Sequence, residues 1–401
     1  MKQLILNTKR DLCAFNIYEW AILLSCLGLF LPFQYAAAVI AVMLLFFLFK
    51  GKLIPALRQQ KGKGFLYGFI ILEAIICLFY KNTIGLINTA GYLLIGLFIA
   101  VYRRYLTPKL FQYILETMIL MSWLAALWGL IEFNRVSTRS GYAFFDFVIQ
   151  NKPKDRINST FTNANFYATM CDFFILFCLY EYVNNRRIGH RIYYVITSLL
   201  NLFMLLLTGC RTALLPFLVI FPIFFGLARK RKLFILSIGM ELSALILLLV
   251  FPHIIPRAGE MSTLYSRFKI WMGALTLIAM NPLFGRGPQT YGLMYKQMHF
   301  HKAPHAHNLL LESLTSYGLV GTYLVCRYFW VLIKEALSIY GRNRYSSQFA
   351  LIICFFVTAC ILGLLDFTLN FLVTGTTFMM VVNSAGMYVN SPVHSTQNKL
   401  Q

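Results

Sequence analysis

Twelve long apolar runs dominate this sequence. They fall at about 17–32, 34–49, 65–80, 84–102, 113–133, 164–183, 192–209, 212–228, 233–252, 308–326, 347–365 and 368–389. In lipid every backbone polar group must be paired inside its own segment, so such runs can only be helices. The chain therefore reads as an all-α, polytopic integral membrane protein with about twelve transmembrane helices. It is a single membrane domain over 1–401. Some runs are short for a full crossing, which leaves room for tilt, local thinning or re-entry. Composition agrees: 59% hydrophobic and 12% charged residues cannot cover the surface of a soluble chain of 401 residues. An ordinary cytosolic enzyme, a disordered chain and a secreted disulfide scaffold are excluded. The nine cysteines lie almost all in apolar runs and none is spaced Cys-x-x-Cys, so they read as small hydrophobes.

Lys and Arg total 36 against 14 acidic residues, a net charge of +22. A soluble chain with that balance would suggest nucleic acid. Here the excess of Lys and Arg in cytoplasmic loops explains it first, and no nucleic-acid partner is expected. The basic start lacks the apolar core and cleavage site of a signal peptide and reads as a cytoplasmic end. An even number of spans puts both termini on one side. The loops on that side contain Lys50, Lys52, Arg58, Lys61 and Lys63; Arg103, Arg104 and Lys109; Arg186, Arg187 and Arg191; Arg229, Lys230, Arg231 and Lys232; and Lys334, Arg342 and Arg344. The expected location is the cytoplasmic membrane, with both termini inside.

Basic residues also collect in two long outer loops, at 134–163 and 253–307. The first contains Arg135, Arg139, Lys152, Lys154 and Arg156. The second contains Arg257, Arg267, Lys269, Arg286, Lys296 and Lys302 against a single acid, Glu260. Long loops are translocated regardless of charge, which is one explanation. The other is a cationic basin for an anionic group at the outer face. Within the second loop, Ile270 to Met280 is apolar but too short to span, so a short membrane-lying helix is expected, with Arg267 and Lys269 at its start. Asn281 to Pro288 reads as a turn. Its Gly285-Arg286-Gly287 is no nucleotide fingerprint, because no strand precedes it. Arg286 is a candidate substrate contact there.

Three sites at span ends bear chemistry. Arg211, in Gly209-Cys210-Arg211-Thr212, sits in a tight turn between two spans. It either snorkels to headgroups or offers a fixed guanidinium for bidentate phosphate binding. Arg267, in Tyr265-Ser266-Arg267-Phe268-Lys269-Ile270-Trp271, is either an interfacial anchor or a second anion site. Pro304-His305-Ala306-His307-Asn308 opens the tenth span. Gly318 follows His307 by eleven residues, about three helical turns, which would put both on one face where a neighbouring helix can approach closely. His299, His301, His305 and His307 together invite a metal. The loop has Glu260 as its only acid and no cysteine, and His-x-His suits a metal on a strand, so no metal ligands are expected. Among acids within the spans, Asp172 and Glu312 lie near the outer ends and are expected to pair with outer arginines. Glu19, Glu73, Glu116, Glu241 and Asp366 are left as packing partners or without a role.

His307-Asn308, nine residues, Gly318 and Gly321, preceded by a long outer loop after nine spans, resembles the O-antigen ligase and O-antigen polymerase superfamily. Arg211 in Cys-Arg-Thr-Ala-Leu-Leu looks like that family's arginine at the corresponding turn, and Arg267 like its second functional arginine. Arg156, in Arg-Ile-Asn-Ser-Thr-Phe-Thr-Asn-Ala-Asn, is similar to an arginine before span six in many members. The likeness is strongest over about 155–325. Gly209-Cys210 departs from the Ser or Thr common before the arginine. The resemblance implies a GT-C-like membrane glycosyltransferase with an undecaprenyl-pyrophosphate-linked oligosaccharide as donor and a sugar hydroxyl as acceptor. It implies no cofactor, no nucleotide sugar and no divalent metal, and an inverting transfer. Other polysaccharide-assembly membrane proteins would be its further partners. His307, Arg211 and Arg267 would be catalytic, with Arg156, Asn308, His305, Arg286 and Glu312 at the substrate. The rival reading is a transporter or flippase of lipid-linked saccharides, which would place charge at mid-membrane and show repeats between halves.

Overall fold

The computed structural model describes residues 15–149, 155–251 and 262–389. Among them there is no strand. The chain runs through helices α1 (Ile17–Gly28), α2 (Phe33–Phe49), α3 (Leu53–Gln59), α4 (Lys63–Phe79), α5 (Thr83–Tyr105), α6 (Pro108–Arg139), α7 (Ala164–Asn184), α8 (Ile188–Leu207), α9 (Phe217–Leu227), α10 (Arg231–Val250), α11 (Ser262–Met280), α12 (Thr290–Met294), α13 (Leu309–Tyr340), α14 (Ser346–Gly363), α15 (Leu372–Val382) and α16 (Gly386–Val389). Each of the twelve apolar runs is occupied by helix. Seven described helices are long and apolar enough to cross a membrane, or eight if α2 and α3, bent by 98°, count as one span. Two further apolar helices, Ile17–Gly28 and Arg211–Leu227, are shorter. A tight turn of helix over Arg211–Leu214 precedes α9, and Pro222 lies inside it.

The helices α7 and α15 are apolar around their whole circumference and are almost entirely buried, as a helix with no polar face must be. The neighbours of α7 turn small polar groups inward and aliphatic ones outward, the inverse of a soluble helix. On α8, buried Asn201 donates to Ser122 Oγ of α6 at 3.0 Å, and Trp123 Nε1 donates to Thr197 Oγ1 at 3.0 Å. Ile192, Val195, Ile196 and Leu199 of the same helix face outward. Such side-chain bonds hold helices together where lipid competes for every apolar contact. Arg103 of α5 and Glu335 of α13 form an ion pair buried between helices, with Nη1 also donating to Asn383 at 3.4 Å. Arg103 is therefore an internal strut rather than a free loop charge.

Loops at 184–188, 228–231 and 340–346 meet at one end, where Ser347 donates to Asn184, and Arg229 to Asn343 and the Tyr340 carbonyl. The start of α7, the end of α8, the start of α13 and the end of α14 share the opposite end. The apolar helix of the second long loop is longer than the run Ile270 to Met280. Helix continues back to Ser262, so Arg267 lies within α11 rather than ahead of it. Ile270, Ala274 and Leu277, at helical spacing, are its buried stripe and pack with Tyr291, Ala303 and Ala306. Helix α6 likewise extends to Arg139, shortening the first loop. Lys152, Lys154, Arg257 and Glu260 lie outside the described residues.

The largest departure from the sequence expectation is at Gly318. It does not lie in a continuous helix beneath His307. Its φ of 63° and ψ of −169° break α13, a conformation that is essentially glycine-only. The 282–287 turn fills the break: Leu319 N donates to Pro282 O at 2.8 Å, Val320 N to Leu283 O at 2.9 Å, and Gly287 N to Ser316 O at 2.8 Å. A Cβ at Gly318 would sit 2.5 Å from the Leu283 carbonyl and from Phe284 N. What approaches closely here is loop backbone. Gly321 does receive a helix, with the Glu73 carboxyl of α4 only 2.9 Å from where its Cβ would be.

Candidate active site

The tenth expected span opens on a short, tightly fastened segment. Asn308 caps α13 by accepting from Leu311 N at 3.0 Å, as Asn does at an N-cap, and its Nδ2 donates to the Leu364 carbonyl at 3.0 Å. His307 precedes it with a left-handed φ of 49°. Buried Glu312, one turn into α13, accepts from Ala306 N at 2.7 Å and from Ser316 Oγ at 2.9 Å. The hydrogen bonds of Glu312 among the described residues go to a loop N–H and a serine rather than to an arginine. The carboxylate thus satisfies the loop backbone and fixes the position of residues 305–307. Asp172, also expected to meet an arginine, is fully buried with neither carboxyl oxygen hydrogen-bonded.

The tether from Asn308 to Leu364 brings the end of α14 alongside the histidines. Asp366 Oδ1 accepts from its neighbour Phe367 N at 2.8 Å and stands 3.2 Å from His307 Nδ1 and 3.7 Å from His305 Nε2. The two imidazole rings are 4.2 Å apart. Asp366 Oδ2 accepts from Asn165 Nδ2 in the first turn of α7. Asn165 Oδ1 accepts from Arg156 Nη2 at 2.9 Å, and Arg156 Nε donates to the Thr208 carbonyl at 2.7 Å. A single chain of hydrogen bonds thus runs from the end of α8 through Arg156, Asn165 and Asp366 to His307. It crosses four segments distant in sequence.

Arg211 stands three residues beyond Thr208, half-buried at the start of its turn, which Gly209 permits with a φ of 63°. Cys210 beside it lies within electrostatic reach of both Arg156 and Asp366. Half-buried Arg267 lies within electrostatic reach of His305, while Lys269 on the same helix is exposed and sits over Tyr265 at 4.6 Å. Within the Tyr265 to Trp271 segment, Lys269 and Tyr265 are thus exposed while Arg267 is half-buried. Arg286 goes elsewhere. It lies over the Tyr80 ring at 5.2 Å and donates to Met294 Sδ at 3.2 Å, and its carbonyl accepts from Asn82. That places it against the turn between α4 and α5. His299 and His301 are exposed and outside the cluster.

Charge in the cluster is polarised. Burial lowers the His305 pKa to about 4, helped by the neighbouring His307 and Arg267 charges and opposed by Asp366. Burial works against ionisation of Asp366, but the His307 hydrogen bond, the two imidazoles and the Phe367 N–H outweigh it. They hold the carboxyl well below the usual carboxylate range.

An apolar cavity of about 160 Å³ adjoins the site. Leu309 and Phe367, each next to a residue of the polar cluster, are in its wall, with Phe69, Tyr92, Tyr317 and Phe378 further in. The Tyr92 hydroxyl bonds to Tyr317 at 2.7 Å and donates to Asn370, so the polar atoms in this wall are paired with each other.

Residues 196–326 match the O-antigen ligase family model. The match agrees with the resemblance drawn from the motifs in that segment, which lies in a chain with several apolar helices of membrane-crossing length. The O-antigen ligase segment spans most of α8, the Arg211 turn, α9 to α12, both clustered histidines and the first half of α13. No curated protein matches the chain. Arg156, Asn165 and Asp366 lie outside the matched O-antigen ligase segment, yet the fold brings them to it. Asp366 and Asn165 are the residues that sequence reasoning missed as site members. An acid at the end of a span was the only signal for Asp366.

The other buried acids have local roles or none. Glu19 completes a capping box with Asn16, and Glu116 accepts from Gln112 at 3.0 Å. Glu73 is fully buried with neither oxygen hydrogen-bonded.

Proposed function

We propose that the protein is a GT-C-type membrane glycosyltransferase that moves an oligosaccharide from undecaprenyl pyrophosphate to a sugar hydroxyl at the outer face of the cytoplasmic membrane. The observation that carries this reading is the His307–Asp366 pair at a helix start, with half-buried arginines around it and an apolar cavity beside it. His307 Nδ1–H donates to Asp366, which leaves Nε2 with a lone pair. That nitrogen takes the proton of the attacking hydroxyl as its oxygen bonds to the anomeric carbon. The bond from that carbon to the pyrophosphate oxygen breaks, and the electron pair leaves with the diphosphate. Attack from the face opposite the leaving group inverts the anomeric centre.

Negative charge grows on the diphosphate as the bond breaks, and preorganised guanidinium groups in a partly dry site stabilise it without reorganisation. Arg211 and Arg267 fill that role. Arg156 already holds Thr208 and Asn165, so it acts by fixing the Arg211 turn and adding positive potential. Asn308 and Glu312 are positioning residues for His307, since their side chains are engaged by backbone groups. The first isoprene unit of the polyprenyl tail enters the cavity behind Leu309 and Phe367, and the rest of the tail lies in the bilayer.

The test is transfer by purified protein in lipid nanodiscs, with a lipid-linked oligosaccharide as donor. His307→Ala and Arg211→Ala should each abolish elongated product while leaving donor bound. Retained transfer in a folded His307→Ala protein refutes the base. With no added acceptor, long chains arise only from a polymerase.

A further inference from the structure

The same three side chains that form the candidate base also form a ligand set. His305, His307 and Asp366 each offer one ligand atom, and the three atoms lie within 4.8 Å of one another. A tetrahedral ion with bonds of about 2.0–2.2 Å has ligand atoms about 3.4 Å apart. Two of the three separations, 3.2 and 3.7 Å, already bracket that value. Two features of the structure supply what the sequence alone lacks for a metal site. The left-handed φ of His307 turns the two rings of the His-x-His to one side without a strand. The acid that the loop lacks comes from the end of α14. Two imidazoles and one carboxylate suit Zn²⁺ and its soft neighbours far better than Mg²⁺ or Ca²⁺, which prefer all-oxygen shells. An outer shell also exists: Asp366 is oriented by Asn165 Nδ2 and by Phe367 N.

We propose that His305, His307 and Asp366 form a three-ligand Zn²⁺ site that switches the glycosyl transfer off. The switch follows from which imidazole nitrogen faces the carboxylate. It is Nδ1 of His307 that meets Asp366, so Zn²⁺ there takes the place of the Nδ1 proton. A neutral imidazole ligated through Nδ1 carries its proton on Nε2, where it cannot accept one from a hydroxyl. Binding also breaks the 3.2 Å bond that His307 N donates to His305 Nδ1, because ligation at Nε2 puts a proton on that atom. The fourth position stays open, so a chelator can reach the ion. The switching part of this inference rests on His307 being the base; the metal site itself does not.

The experiment uses the full chain in nanodiscs, with His299→Ala/His301→Ala as background to remove the exposed histidines. Zn²⁺ binding is followed by calorimetry, and Co²⁺ is followed by its visible bands, which are intense only in tetrahedral surroundings. One ion per chain is expected, with no Mg²⁺ or Ca²⁺ binding. His305→Ala and, as a gentler variant, His305→Gln should weaken Zn²⁺ by more than the about 10–100-fold that loss of an outer-shell partner costs. Transfer should stop with Zn²⁺ and return with EDTA. Zn²⁺ binding that is absent, or unchanged in both His305 variants, overturns the site. Stoichiometric Zn²⁺ that leaves transfer running overturns the switch and the base assignment together while the site stands. Absent Zn²⁺ binding with transfer lost in His307→Ala overturns the site and leaves the base assignment intact.

Discussion

Replacing Asp366 with Asn tests the catalytic reading most sharply, because it changes charge and hydrogen-bond polarity but hardly changes shape. The chain from Arg156 to His307 has one direction on each side of Asp366. Arg156 donates to Asn165, Asn165 donates to Asp366 Oδ2, and both Phe367 N and His307 Nδ1–H donate to Oδ1. Only a carboxylate accepts on both oxygens. In Asp366→Asn, an NH₂ at the Oδ2 position faces the Asn165 NH₂. Turning Asn165 over relieves that clash but points its NH₂ at Arg156. Turning residue 366 over instead aims its NH₂ at Phe367 N and at Nδ1, which favours the wrong His307 tautomer. Every arrangement leaves a buried donor unsatisfied, at about 1–3 kcal/mol of stability. The catalytic loss is larger. General-base catalysis is worth about 10²–10⁴, and loss of an orienting carboxylate costs up to about 10⁴. At about 1.36 kcal/mol per decade that is roughly 3–5 kcal/mol of barrier. The assay is single-turnover transfer from a lipid-linked donor by protein first shown to elute as a single species. Transfer within about threefold of the parent would refute the orienting role and the tautomer argument with it.

Other expectations rest on separate parts of the molecule. His305 is held neutral in the folded protein down to about pH 4, from an ordinary value of 6.5, so the unfolded chain takes the proton first. Its contribution is intact above pH 6.5 and is lost as pH falls toward 4; on the order of 2 kcal/mol should go between pH 7 and 5. Thermal midpoints of parent and His305→Gln across that window should show a shallower acid slope in the variant. Gly318→Ala puts a methyl 2.5 Å from Leu283 in a φ/ψ region closed to alanine, which should cost upwards of about 3 kcal/mol. Gly341→Ala, with nothing within 4 Å, should cost about 1 kcal/mol or less by the same thermal assay. Breaking the buried Arg103–Glu335 pair with Glu335→Leu should cost about 3–5 kcal/mol. Arg103→Met with Glu335→Leu should recover most of it, and failure to recover would show that Asn383 needs the guanidinium.

Helix positions were legible in the sequence because a long apolar run in lipid has one way to pair its backbone. Where helices end was less so: α6 and α11 both run past their apolar cores, since helix continues wherever a polar residue can reach out of the bilayer. His307, Arg211 and Arg267 stood out as candidates because each lies in a short motif beside an apolar run. Asp366 could not. Its meaning comes from the Asn308 side chain reaching across to Leu364, a contact between segments over fifty residues apart that leaves no local pattern. Gly318 was misread for a related reason. Glycine spacing on a helix signals close approach but does not say whether a helix or a loop approaches, and here a loop does, through three backbone hydrogen bonds.

That loop also explains how the site holds its geometry. His307 precedes α13 and Asp366 follows α14, so their 3.2 Å separation is only as firm as the contact between those two helices. Three restraints converge on the first turns of α13. Asn308 ties its start to α14, Glu312 ties the preceding loop to its second turn, and the 282–287 turn is locked into the break at Gly318. Placing a break there makes the first ten residues of α13 a short rigid block, clamped at both ends. Loosening either clamp should therefore lower kcat before it unfolds the protein. Asn308→Ala is the sensitive case: it removes a cap worth about 1 kcal/mol and the only side-chain tie from this block to Leu364 among the described residues. A folded Asn308→Ala protein with unchanged transfer would show that apolar packing alone keeps the imidazole and carboxylate in register.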